Sequence, residues 1–231
     1  MAYQNPTLFG VAYASRLHQQ IDKSSGFNEQ VRRQISPASD LDPQKRDHAM
    51  TLLRWLNKWG CRITKESFPK ISRELAGWFR KWRTKLPSAD LELVGLQDQH
   101  LDVLAGAYHE LLGVHDFGPT SASKALFAVC PRAAMPWDAA IQGEFRLVGR
   151  APENYRAMLV RSKDEGQKLI DDATRCGVID PHNNIPSEIG RPEHTLAQLL
   201  DEYHWIAITR GHEIPAHSDL RQWVQWTGPT C

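Results

Sequence analysis

Residues 111–141 read LLGVHDFGPTSASKALFAVCPRAAMPWDAAI. Ahead of this stretch, Leu101, Leu104, Tyr108 and Leu111 repeat at helical spacing and predict a helix over 101–113 that stops at Gly113. His115-Asp116-Phe117-Gly118 then makes a tight turn. Pro119 suits the first turn of the next helix, Thr120 to Val129, because the N–H it lacks would be unpaired there anyway. Thr120, Ser121, Ala122 and Ser123 are small enough for another backbone to come close. Two helices joined by such a hairpin aim the free N–H groups of the second past a glycine, which makes an anion site. Beyond the second helix, Met135-Pro136-Trp137-Asp138 leads into a helix predicted over Pro136–Val148.

Outward from this stretch the chain reads as helical nearly throughout. Leu8 to Lys23 is periodic, and a helix opens at Pro43 and runs through Leu52, Leu53 and Leu56 to Gly60. Ile71, Leu75, Trp78, Phe79 and Trp82 repeat until Pro87, and Ser88 is placed to cap a further helix with Leu91 and Leu93 near its start. Pro152–Cys176 and Thr195–Ile208 are the last clear helices, and the Pro/Gly/Asn-rich segments 177–193 and 210–219 read as loops. No alternating segments face each other across a hairpin turn, so the expected class is all-α. Residues 1–231 are expected to form one domain, with helical lobes around a cleft, the hairpin at about 101–130 and the Asp138 loop and helix at 131–148.

Composition narrows the classes. The chain has 231 residues, 41% apolar and 24% charged, which is ordinary for a globular protein. No apolar run reaches the length of a membrane span, and the start lacks the pattern of a secretory signal, so no membrane partner is expected. Four widely spaced cysteines show no zinc-binding spacing, and four reduced thiols are the plain reading. Net charge is +1, but its distribution is uneven: residues 54–85 carry ten Lys and Arg against Glu66 and Glu74, a net of +8. Trp55, Trp59, Phe68, Trp78, Phe79 and Trp82 are interleaved with these cations. Such a stretch fits a phosphate-backbone contact, with Arg80, Lys81 and Arg83 as candidates, or a pair of amphipathic helices with solvated cations.

The hairpin and the segment leading to Asp138 resemble the helix-hairpin-helix superfamily of DNA glycosylases, the endonuclease III and 8-oxoguanine glycosylase fold. In that family an alanine lies four positions after the hairpin glycine and a catalytic aspartate about twenty after it. Here Ala122 and Asp138 stand at those distances from Gly118, with Pro131 and Met135-Pro136-Trp137 on the approach. The resemblance covers about 35 of the 231 residues. Two departures matter. The first glycine of the family's hairpin is Asp116, which tolerates a left-handed backbone but brings a negative charge near the phosphate. The lysine that bifunctional members carry two positions after the glycine is Thr120, and Lys124, one turn further on, is not expected to reach the same point. The resemblance therefore implies a monofunctional enzyme that hydrolyses an N-glycosidic bond in double-stranded DNA and leaves an abasic site.

By the same resemblance Asp138 is the catalytic residue, and Phe117, Gly118, Thr120 and Ser121 meet the DNA backbone. The cysteine run of the iron–sulfur relatives is absent; no cofactor is required, and a monovalent cation at the hairpin carbonyls is the one ion the motif could take. Trp137, Asn154 and Tyr155 are candidates for the base pocket. The segments Gly118–Lys124 and Pro136–Asp138 resemble a divergent bacterial branch that includes phage-defence glycosylases acting on glucosylated hydroxymethylcytosine. That likeness implies a monomer in the bacterial cytoplasm with phage or otherwise modified DNA as partner. Read from the residues alone, the plainer alternative is that Asp138 caps the helix starting at Ala139. The alternatives are then a non-catalytic DNA-binding module, or a lyase or nuclease using Lys124. Glu144 lies on a different face, and His109 and His115 flank the hairpin without a clear role.

Overall fold

The computed structural model describes residues 3–21 and 41–216, and it is all-α, with no strand among the described residues. The helices are α1 (Leu8–Ile21), α2 (Arg46–Lys58), α3 (Phe68–Trp82), α4 (Asp98–Leu111), α5 (Pro119–Val129), α6 (Ala139–Glu144), α7 (Pro152–Arg175), α8 (Pro181–Glu188) and α9 (Leu196–His204). A π-helical turn, Trp205–Thr209, extends α9. Every helix contributes to one hydrophobic cluster, in which α4 packs on α5 and α7, and α1 on α9.

Four elements depart from the sequence reading. α2 begins at Arg46, because Asp42 accepts the Gln44 N–H at 2.9 Å and holds Pro43 in a turn ahead of the helix. No helix follows Ser88. The segment is pinned instead by the Leu93 N–H to the Arg132 carbonyl at 2.8 Å and by fully buried Leu93 and Leu96, and only a 3₁₀ turn forms over Leu93–Gly95. That turn lies so close to α7 that a Cβ on Gly166 would come within 2.9 Å of Val94. The helix expected over 136–148 is only α6, because Pro136 and Trp137 are buried ahead of it and Arg146, at φ 56°, turns the chain out of it. The loop expected over 177–193 contains α8, anchored by buried Ile185 and Ile189. Lys23, residues 217–219 and Cys231 lie outside the described residues.

α2 ends as its sequence suggests. Gly60 takes φ +80°, its N–H reaches the Asn57 carbonyl at 3.1 Å and the Cys61 N–H reaches that of Leu56 at 3.1 Å, a Schellman closure. Cys61 and Cys130 are free thiols, whereas Cys176 is disulfide-bonded, so the reading of four reduced thiols does not hold. Among the described residues no helix is long and apolar enough to cross a membrane.

Two buried carboxylates tie helices together. Glu202 of α9 accepts from Ser15 of α1 at 2.6 Å and Arg191 at 2.8 Å, with His194 at 3.1 Å. Glu165 of α7 faces His204 at 2.8 Å and accepts from Arg161 at 3.0 Å. Burial alone would push both carboxyls up, but their histidine and arginine partners outweigh it and hold both below the usual range.

Candidate active site

The hairpin is built from local bonds. Val114 N–H reaches the Leu111 carbonyl at 3.1 Å, and Phe117 N–H reaches that of Val114 at 3.1 Å. Asp116 sits at φ +61°, the left-handed position the sequence asks of it. No side chain caps α5. A Cβ on Gly118 would meet no protein atom, so the space ahead of the helix is open. Phe117 and Ser121 are buried at 5% and 4% exposure, so any contact they make with a ligand here must come through the main chain. Thr120 is half-buried. Beside the turn, His115 N–H donates to Glu74 of α3 at 2.8 Å. Arg150 donates to the Leu112 carbonyl at 2.6 Å, so a monovalent cation at the hairpin carbonyls would compete with a cation of the chain itself.

Ser123 connects the hairpin helix to Asp138. Its hydroxyl accepts the Trp137 N–H at 3.1 Å, so the small residues of α5 receive the chain's own loop. Below that loop, Tyr155 donates to the Met135 carbonyl at 2.8 Å and stacks on Tyr108 at 4.2 Å, with Trp137 edge-on at 5.5 Å. Tyr155 is fully buried in this cluster, and Asn154 bonds the Val148 carbonyl at 3.0 Å.

Asp138 is the N-cap of α6. Its Oδ1 accepts the N–H groups of Ala140 at 2.9 Å and Ile141 at 3.0 Å, and its Oδ2 accepts the Thr209 hydroxyl at 2.7 Å. Three bonds from two elements fix the carboxyl in one orientation. It also lines a cavity of about 230 Å³. The walls include Trp59, Trp137 and Trp205, and the polar lining includes His18, Lys58, Lys124 and Asp201. Asn154 and Tyr155, the base-pocket candidates, do not line it; both side chains are engaged with the chain's own carbonyls. Capping and facing a cavity are compatible for Asp138.

Several of these residues escaped the sequence reading. Lys124, which the sequence places one turn beyond Thr120, lines the same cavity as Asp138. The reason is the end of α2: Lys124 Nζ donates to the Trp59 carbonyl at 2.8 Å and lies 4.5 Å from the centre of its indole ring, which turns the side chain inward. Asp201 comes from α9, a helix whose eight other residues are all buried; the adjacent acids Asp201 and Glu202 within an otherwise largely apolar helix were the available signal. Thr209 is brought to Asp138 by the π-helical turn, which periodicity alone does not reveal.

The basic stretch separates by face. Trp55, Phe68 and Trp78 are buried, Trp59, Phe79 and Trp82 are partly buried, and all ten cations are exposed. Arg80, Lys81 and Arg83 therefore reach solvent, although Lys81 pairs with Glu110 at 2.6 Å. His109, His115 and Glu144 are exposed and do not line the cavity. Among the described residues no three His, Cys, Asp or Glu side chains gather as a metal site. No protein-family model, curated protein or solved structure matches this chain.

Proposed function

We propose that this protein is a monofunctional DNA glycosylase of the helix-hairpin-helix kind, which flips a modified base out of the duplex and hydrolyses its bond to deoxyribose. The observation that carries the reading is the placement of Asp138. It stands twenty residues after the hairpin glycine Gly118, held by three hydrogen bonds at a tryptophan-walled cavity one helix away from the hairpin. Breaking a base–sugar bond builds positive charge on the sugar, and a carboxylate fixed beside it lowers that barrier because it needs no reorganisation during the reaction. The flipped base needs a space walled by aromatic side chains, and Trp59, Trp137 and Trp205 are among those that line this one. A volume of about 230 Å³ is below the drug-sized range of roughly 300–1,000 Å³ and suits a single base. A glucosylated hydroxymethylcytosine, the target implied by the resemblance, would extend through the mouth. The open N–H groups at the start of α5 and the exposed cations of α3 would hold the phosphates.

Incubation with DNAs carrying glucosylated hydroxymethylcytosine, 5-methylcytosine, uracil or 8-oxoguanine, followed by mass spectrometry of released bases, tests the proposal. Release of one base with strand breaks only after alkali is the expected result. Binding without release from any of them would make the chain a DNA-binding module with Asp138 as a cap. Lys124, in the lining of the same cavity as Asp138, gives a lyase reading its one supporting observation. Breaks without alkali, and an adduct trapped by borohydride that Lys124→Ala abolishes, would establish that reading instead.

A further inference from the structure

Asp201 is a second carboxyl group in the cavity that holds Asp138. It lies on α9 and enters from a helix far along the chain from the hairpin. Its side chain makes no hydrogen bond or ion pair with any described residue, unlike its neighbour Glu202, which is saturated by Ser15, Arg191 and His194. The two acids of this helix thus have different fates, one built into the core and one left facing the cavity. Resting on the glycosylase reading, we propose that Asp201 is the proton donor to the departing base, while Asp138 faces the sugar.

The chemistry separates the roles. Asp138 has both oxygens committed to donors and no proton to give without losing them. Asp201 has a carboxyl with no such commitments. Burial pushes it well above the usual carboxylate range; Lys124 pulls it partly back, and the charges of Glu202 and Asp138 push it further up. It therefore holds its proton where an ordinary carboxyl has lost one. In the reaction the C1′–N bond breaks and its electron pair goes to the base, which takes the proton from Asp201. Water then adds to C1′ and gives its proton to Asp138. Solvent removes that proton and restores the one on Asp201. The products are the free base and an abasic sugar, with one water consumed. Lys124 offsets the charge that Asp201 acquires. The other titratable groups around the cavity are His18 of α1 and Lys58 of α2.

The test combines pH-dependent single-turnover base release, on whichever DNA of the panel the wild type cleaves, with NMR of protein labelled at the aspartate carboxyl carbon. Wild-type activity should fall as pH rises through the Asp201 titration seen by NMR. Asp201→Asn should lose about 10²–10⁴-fold in rate, the usual worth of general acid catalysis. It should also lose that alkaline limb, with DNA affinity unchanged. Asp201→Glu should restore part of both. An Asp201→Asn protein with wild-type rate and profile overturns this proposal alone. Failure of the wild type to release any base overturns the glycosylase reading and this proposal with it. Should Asp201→Asn not fold, Asp201→Glu and the wild-type NMR titration decide: a carboxyl ionised at neutral pH overturns the proposal whatever the activity.

Discussion

Asp138 serves two purposes through different atoms. Oδ1 caps α6 and Oδ2 takes the Thr209 hydroxyl, and the group still borders the cavity. Asp138→Asn keeps an oxygen for the cap, so the fold should persist and DNA affinity should stay within a few-fold. Base release should fall by about 10²–10³, the cost of removing one electrostatic group aimed at developing charge. Single-turnover kinetics with a parallel binding assay checks this, and near-native turnover would leave Asp138 as a cap alone. Asp201 carries a stability cost with a definite sign. Its carboxyl is raised in the folded state, so its contribution is fully present below the unfolded value of about 3.9 and is lost as pH rises. Asp201→Asn, which cannot ionise, should melt close to wild type near pH 4 and increasingly above it towards pH 8. Melting curves across that range measure the gap; a constant gap would mean that Asp201 ionises normally.

At the scale of the helix, α3 has separate faces. Trp78 donates its indole N–H to the Ala107 carbonyl at 2.9 Å and is buried, while Arg80 and Arg83 are exposed at the helix end and just past it. Reversing both arginines should leave the fold intact, since neither is part of the core. It should weaken DNA binding and flatten the slope of log K against log salt by about 1–2 units if both neutralise phosphates. An unchanged slope in a salt titration would make them ordinary solvated cations. The hairpin was legible at this scale because it is local: a glycine, a proline and a left-handed aspartate act on bonds within a few residues. The segment after Ser88 was not legible, because Leu93 is held by a carbonyl from Arg132, and no periodicity within the segment records that partner.

Across the whole molecule, buried ion networks join elements far apart in sequence. Glu165 and Glu202 are held below their ordinary range, so the stability they contribute is present above the unfolded value of about 4.3 and lost as pH falls through their folded values. Unfolding should therefore set in below about pH 4.3. Glu165→Ala removes the acceptor of Arg161 and the partner of fully buried His204. It should cost about 3–5 kcal/mol, as breaking a buried pair from one side does. Urea unfolding at pH 7 measures the loss, and a change under about 1 kcal/mol would mean that water replaces the carboxylate.

The sequence by itself determined the helical class, the hairpin with its left-handed Asp116, the stop at Gly60 and the place of Asp138 before a helix. Each rests on side-chain period or on bonds spanning a few residues. Only the tertiary structure decided which residues share the cavity. Lys124 is turned inward by Trp59 from the end of α2, Thr209 reaches Asp138 from a π-helical turn, and Asp201 arrives on α9 from far along the chain. Tyr155, whose nearness to Asp138 in sequence suggests a pocket wall, instead packs beneath the loop. The physical reason is that a cavity is enclosed by whichever helix faces converge, and convergence depends on packing of the whole core, which no local pattern encodes.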